Sequence, residues 1–191
     1  MGKVVHLGKI MEFAGKTPVF RARDVELIVK SKNYSHLILH KLVREDRIRR
    51  VTKGWYSLYE DPMVSVFCFK PAYIGLQDAL SFHGLWEQET NVTIVTSRKV
   101  RVGVRRILDS NVVLHNIDRR YLFGFDFLKY GEFFVPVSDV EKTLLDLVYF
   151  NEIPSKDVLN EARHKLNEDK LKKYLASYPS RIKDRIRRVV L

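Results

Sequence analysis

Between Thr17 and Leu58 the period of the apolar positions changes twice. Asp24 to Val29 is a short helical run, and Ser31-Lys32-Asn33-Tyr34-Ser35 is a polar turn in which Ser35 is placed to cap the next helix. That helix is predicted over His36 to Asp46. Ile48-Arg49-Arg50-Val51 and Trp55-Tyr56-Ser57-Leu58 then flank Thr52-Lys53-Gly54, which suits a hairpin whose glycine takes the left-handed position. Upstream, Val4, Leu7, Ile10, Met11 and Phe13 predict a helix over Val4 to Phe13 that covers the back of this module, with Gly15 and Pro18 ending it. Helix, turn, helix and basic hairpin follow in the order and lengths of a winged helix-turn-helix, a layout suited to gripping duplex DNA.

Beyond Asp61-Pro62 the pattern changes, which predicts two domains, 1–62 and 63–191. Val64 to Phe69 is strand-like, with Lys70-Pro71 ending it. Leu76, Ala79, Leu80 and His83 line one helix face before Gly84, and Val100, Val102 and Val104 alternate with Arg101 and Arg105. Further strands fit Asn91 to Thr96, Val112 to Ile117, Leu122 to Phe127 and Glu132 to Val137. From Ser138 the chain turns helical: Ser138 and Glu141 form an S-x-x-E capping box ahead of Val140, Leu144, Leu145, Leu147 and Val148, and helices follow from Ser155, around Leu171 and from Ser180. The expected class is α+β, a winged module followed by a sheet and a helical cluster.

Charge sharpens the division. Up to Tyr59 there are thirteen Lys or Arg against five Asp or Glu; the remainder holds twenty-one against eighteen, so most of the net +11 sits in the first third. A basic module joined to a nearly balanced one fits a polyanion binder with a second domain for another task. At 191 residues and 46% apolar content the chain can bury a real core. Cys68 is the only cysteine, which excludes an intrachain disulfide and a cysteine-cluster zinc site. No apolar run approaches the ~20 residues that span a bilayer. The start, Met1 to His6, lacks a signal-peptide core, so a cytoplasmic protein is expected.

Within the second helix of the winged module, Ser35, Ile38, Leu39 and Leu42 share one side, while Asn33, His36, Leu37, His40, Lys41 and Arg44 project from the other. Asn33, His36, His40 and Arg44 are the candidates for base edges, whereas Lys41, Arg47, Arg49, Arg50 and Lys53 are candidates for phosphates. Trp55 and Tyr56 are expected to anchor the returning strand in the core. A secondary basic patch comprises Lys99, Arg101 and Arg105, taken to share one side of a strand, and Arg181, Arg185 and Arg188 on the last helix. It suits an extended DNA footprint, a protein, RNA or plain solvation equally.

Enzymatic constellations fare less well. Asp78, Ser81 and His83 resemble a nucleophilic set, but a helix turns Ser81 and His83 about 200° apart. Glu141, Lys142 and Asp146 hint at a metal-dependent nuclease, yet Glu141 is assigned to the capping box and Lys142 with Asp146 to a surface ion pair at i,i+4. No phosphate-cradling Gly-rich loop and no H-E-x-x-H motif is present, so neither metal nor other cofactor is expected.

Three ordered segments carry a family resemblance: Lys53-Gly54-Trp55-Tyr56; Tyr73-Ile74-Gly75-Leu76-Gln77-Asp78-Ala79-Leu80 with His83-Gly84-Leu85 and Gln88; and Val137-Ser138-Asp139-Val140-Glu141-Lys142-Thr143-Leu144-Leu145-Asp146. In this order, over most of the chain from about Thr17 to Phe150, they resemble the AbiEi-like antitoxins of type IV toxin–antitoxin pairs, also described as predicted transcriptional regulators of viral defence systems. The resemblance implies an N-terminal domain that represses its own operon. It also implies a C-terminal domain that counteracts a nucleotidyltransferase-like toxin without binding it tightly. The alternatives are a stand-alone winged-helix protein- or RNA-binding factor and a metal-dependent nuclease.

Overall fold

The computed structural model describes residues 2–190, and the side chains of residues 6–190. The fold is α+β and divides into two compact units. One runs to Phe69 and takes in Arg106–Ser110; the other holds Lys70–Arg105 and the chain from Asn111 onward.

The first unit begins with α1 (Gly2–Gly15), β1 (Phe20–Arg21), α2 (Ala22–Val29) and α3 (Lys32–Arg44), followed by β2 (Arg49–Thr52) and β3 (Trp55–Ser57). β3 lies between β1 and β2 in a three-stranded antiparallel sheet. Ile10 of α1 is fully buried in a core with Phe20, Val25, Leu39, Leu42 and Ile48, and Leu7, Met11 and Phe13 pack on it; the side chain of Val4 lies outside those described. The strand expected over Val64 to Phe69 is instead a 3-10 helix, Pro62–Phe69. Asp61 accepts from the backbone N–H of Met63 at 2.8 Å, and Pro62 at the first helical position needs no N–H partner. Every residue from Met63 to Phe69 is buried, so the run has no wet face for a half-buried strand to show.

The second unit opens with β4 (Ala72–Ile74), α4 (Leu76–Phe82) and β5 (Val92–Thr96). The chain continues through β6 (Gly103–Ile107) and β7 (Ser110–Asn116), whose joining end, Arg106–Ser110, belongs to the first unit, then a 3-10 turn (Arg119–Tyr121), β8 (Phe125–Tyr130) and β9 (Phe133–Ser138). Helices α5 (Val140–Tyr149), α6 (Lys156–Lys165), α7 (Glu168–Leu175) and α8 (Ser180–Val190) complete it. The six strands form one mixed sheet in the order β6-β7-β5-β4-β9-β8, with β4 and β9 parallel at its centre. Leu144, Leu145, Leu147 and Val148 of α5 join Tyr73, Leu76, Val95, Leu171 and Ile186 in one core. Among the described residues, no helix is long and apolar enough to cross a membrane.

Two expectations for α5 are overturned. Its cap is Asp139, whose Oδ1 accepts from the Lys142 N–H at 2.8 Å. Ser138 ends β9 fully buried, with its hydroxyl 2.7 Å from that of Thr143, and Glu141 accepts from the Asn167 backbone N–H at 2.7 Å. Nor are Lys142 and Asp146 a surface pair: both side chains are 0% exposed. The Lys142 ammonium meets the Asp146 carboxylate and lies 3.2 Å from the Tyr178 hydroxyl, and Tyr73 donates to Asp146 at 2.7 Å. Burial pushes the Asp146 carboxyl up and the Lys142 ammonium down, each opposed by the partner's charge. Gly124, at φ +70°, makes room for this lysine, since a Cβ there would sit 2.9 Å from Lys142 Cβ and from the Tyr174 ring.

Removing one member leaves the other buried without its counter-charge. Lys142→Met should therefore cost about 3–5 kcal/mol in urea unfolding. Asp146→Asn keeps an acceptor for Tyr73, so the double variant Lys142→Met/Asp146→Asn should be more stable than Lys142→Met alone. A double variant no better than the single would show that the two charges are not coupled.

Candidate nucleic-acid interface

The local order of the winged module follows from its end groups. Asp24 accepts from the Arg21 backbone N–H at 2.7 Å where α2 begins. Lys30, at φ 55°, closes α2 in the left-handed conformation and returns its N–H to Glu26 at 2.8 Å. The chain thus re-enters a helix two residues later. Its cap is Ser31, which accepts from the Tyr34 N–H at 3.3 Å, rather than the expected Ser35. Ser35 is buried one turn in and donates to the Lys32 carbonyl at 2.7 Å. The expected turn is therefore the first turn of α3, which places Asn33 on the helix itself.

Ser35, Ile38, Leu39 and Leu42 are buried as expected, and His36, Leu37, His40, Lys41 and Arg44 are exposed opposite them. In the hairpin, Gly54 at φ +78° makes the turn between β2 and β3. Tyr56 stacks on Phe20 with ring centroids 6.0 Å apart, whereas Trp55 is half-buried beneath the Arg21 guanidinium at 4.4 Å. Helix and hairpin face each other across an open hollow of about 800 Å³. Asn33, His36, Leu37 and His40 line it from α3, and Arg50, Lys53 and Gly54 line it from the wing. None of the described residues lining it is acidic, and Arg50 and Lys53 bring two cations to it.

The other candidates lie elsewhere. Lys41 and Arg47 border a second hollow with Leu7, Tyr34 and Glu45, where Lys41 and Glu45 are 3.6 Å apart. Arg44 is exposed in the last turn of α3 but does not line the main hollow. Arg49 pairs with Asp46 and Glu60, holding the entry to the hairpin with a charge already met twice. Leu37 is the residue that a search for polar readers passes over: it is 69% exposed within the main hollow. The signal was present in the sequence as a leucine at a position facing away from the core stripe.

The secondary patch separates into parts. Lys99 and Arg101 precede β6, which starts only at Gly103 with φ +97°, so they do not share a strand face with Arg105. The Arg105 guanidinium donates to the Arg101 carbonyl at 2.6 Å. By contrast, Arg181, Arg185 and Arg188 of α8 do come together, beside Tyr149 and Asn151. The enzymatic constellation disperses: Asp78 accepts from Thr90 and Thr93, Ser81 donates to Gln77, and His83 Nε2 bonds the Ser138 carbonyl at 2.7 Å. Among the described residues, no group of three His, Cys, Asp or Glu side chains is placed to hold a metal ion.

No protein-family model matches the sequence, and no curated protein matches it. Among solved structures, the chain is similar to the crystal structure of the RV2827C protein from Mycobacterium tuberculosis, with a TM-score of 0.62 at 12% identity. The likeness covers 92% of this chain and 72% of that one. At this identity it speaks to the fold alone.

The cap assignment can be checked directly. Ser31→Ala should cost about 0.5–2 kcal/mol in chemical denaturation. Ser35→Ala, which leaves no unpaired buried partner and gains helix propensity, should cost less than Ser31→Ala. The reverse ranking would restore Ser35 as the cap.

Proposed function

We propose that this chain is a duplex-DNA-binding transcriptional regulator that uses the hollow between α3 and the wing as its interface. The observation that carries the reading is the meeting of Asn33, His36, His40, Arg50 and Lys53 around an acid-free hollow. A major groove about 12 Å wide admits one α-helix. α3 enters it with Asn33, His36 and His40 toward base edges, and Arg44 reaches in from the last turn. Arg50 and Lys53 bind the phosphates beside that groove; Lys41 and Arg47 serve the flanking backbone. Arg49 braces the hairpin instead. These contacts need neither metal nor organic cofactor and no catalytic group.

The regulatory part of the proposal rests on the family resemblance. The chain acts as an autorepressor and as the antitoxin of a type IV toxin–antitoxin or phage-defence pair in the cytoplasm. The first unit binds its own operator, and the second counteracts a nucleotidyltransferase-like toxin without a stable complex. Growth rescue on co-expression with such a toxin from the neighbouring gene tests the second half; binding to the upstream region tests the first. Failure of both would leave only a general DNA binder.

Two outcomes bear on the interface itself. In mobility shifts across a salt series, Arg50→Ala and Lys53→Ala should each lower the slope of log K against log salt by about one unit, whereas Arg49→Ala should leave it near the parental value. On the cognate duplex, His36→Ala or His40→Ala should cost about 1–3 kcal/mol, with a smaller loss on random DNA. Equal losses on both duplexes would reduce α3 to a positioning element.

A further inference from the structure

Of the five cations of α8, one pairs with a carboxylate among the described residues. Arg187 lies 3.5 Å from Asp184, and Lys183 donates to the Ala176 carbonyl at 3.3 Å. What sets Arg181, Arg185 and Arg188 apart is their grouping. Spaced four and three residues apart, they stand on one face of the helix, where like charges at these separations repel. They line a hollow of about 580 Å³ completed by Tyr149, Asn151 and Ile182, with no acidic side chain in its wall.

Their neutral contacts do not relieve the repulsion. Arg185 donates to the Asn151 side-chain carbonyl, and Arg188 Nε donates to the Asp184 backbone carbonyl at 3.3 Å. None of the three meets a carboxylate among the described residues. Asp118, which acts on the Tyr149 phenol, is itself paired with Arg120 at 3.2 Å. Tyr149 and Ile182 add apolar groups to the lining.

We infer that this hollow is a binding site for a phosphate monoester carried on a group of about nucleoside size. Three guanidiniums match the two charges of a monoester better than the single charge of a diester, and the fork geometry of arginine suits two phosphate oxygens at once. Tyr149 and Ile182 give the organic part of the ligand a surface to rest on. The site lies within the second unit and owes nothing to the winged module, so it stands whether or not that module reads DNA.

Calorimetric titration of the full chain with adenosine 5′-monophosphate is the primary test, with 3′,5′-cyclic adenosine monophosphate as the diester control at matched ionic strength. The monoester should bind at least tenfold more tightly than the diester. Arg185→Gln and Arg188→Gln should each weaken binding tenfold or more, Arg185→Lys should weaken it less, and Arg101→Gln should leave it unchanged. Circular dichroism of each variant establishes that it is folded. A short single-stranded RNA with and without a 5′-phosphate then separates the sources: stronger binding of the phosphorylated strand than of the mononucleotide identifies a strand end, and the opposite order identifies a free nucleotide. Equal affinity for monoester and diester, or undiminished binding by folded Arg185→Gln and Arg188→Gln, would overturn the site.

Discussion

A helix can bury only one side, and the burial of Ser35, Ile38, Leu39 and Leu42 decides what α3 presents to the outside. Fixing these four positions inward turns Asn33, His36, Leu37 and His40 toward the wing by geometry alone. The wing reaches the same hollow because β3 is held between β1 and β2 and Gly54 supplies the left-handed turn. The proposed interface therefore depends on apolar packing more than on any polar contact within it. Exposed side chains contribute little to stability, and that leaves them free to be selected for binding.

The second unit is organised around a different constraint. Moving an ammonium and a carboxylate out of water costs several kcal/mol per ion, so Lys142 and Asp146 are tolerable only as a pair with hydroxyl support. Tyr73 and Tyr178 give that support from β4 and from the chain before α8, so one pair ties elements distant in sequence. Around its rim, Asp139 and Glu141 engage Lys170 at 3.0 and 3.3 Å. Although partial burial opposes its charge, these two carboxylates push the Lys170 ammonium up to about 12.

Legibility in the sequence tracked local rules. The winged module could be read because its cues are short-range: helical period and a glycine between two apolar strands. The α+β order of the second unit was legible for the same reason. Misreadings occurred where tertiary burial decided the outcome. Lys142 and Asp146 have the spacing of a surface pair, and nothing local marks that α5 is enclosed from Glu141 to Val148. Val64 to Phe69 has strand-like composition, but burial all round removes the alternation that a strand in a half-wet sheet would need. The grouping of Arg50 and Lys53 with α3, and the diversion of Arg49 to Asp46 and Glu60, depend on a hairpin register that charge counting does not contain.

The most direct test of the central claim is a heteronuclear NMR titration of the full chain with its upstream duplex, read residue by residue. The account predicts that the largest amide perturbations fall on Asn33 to His40 and on Arg50 to Gly54, with smaller ones at Lys41, Arg44 and Arg47. Specific binding with both segments unperturbed, and the changes gathered elsewhere, would contradict it.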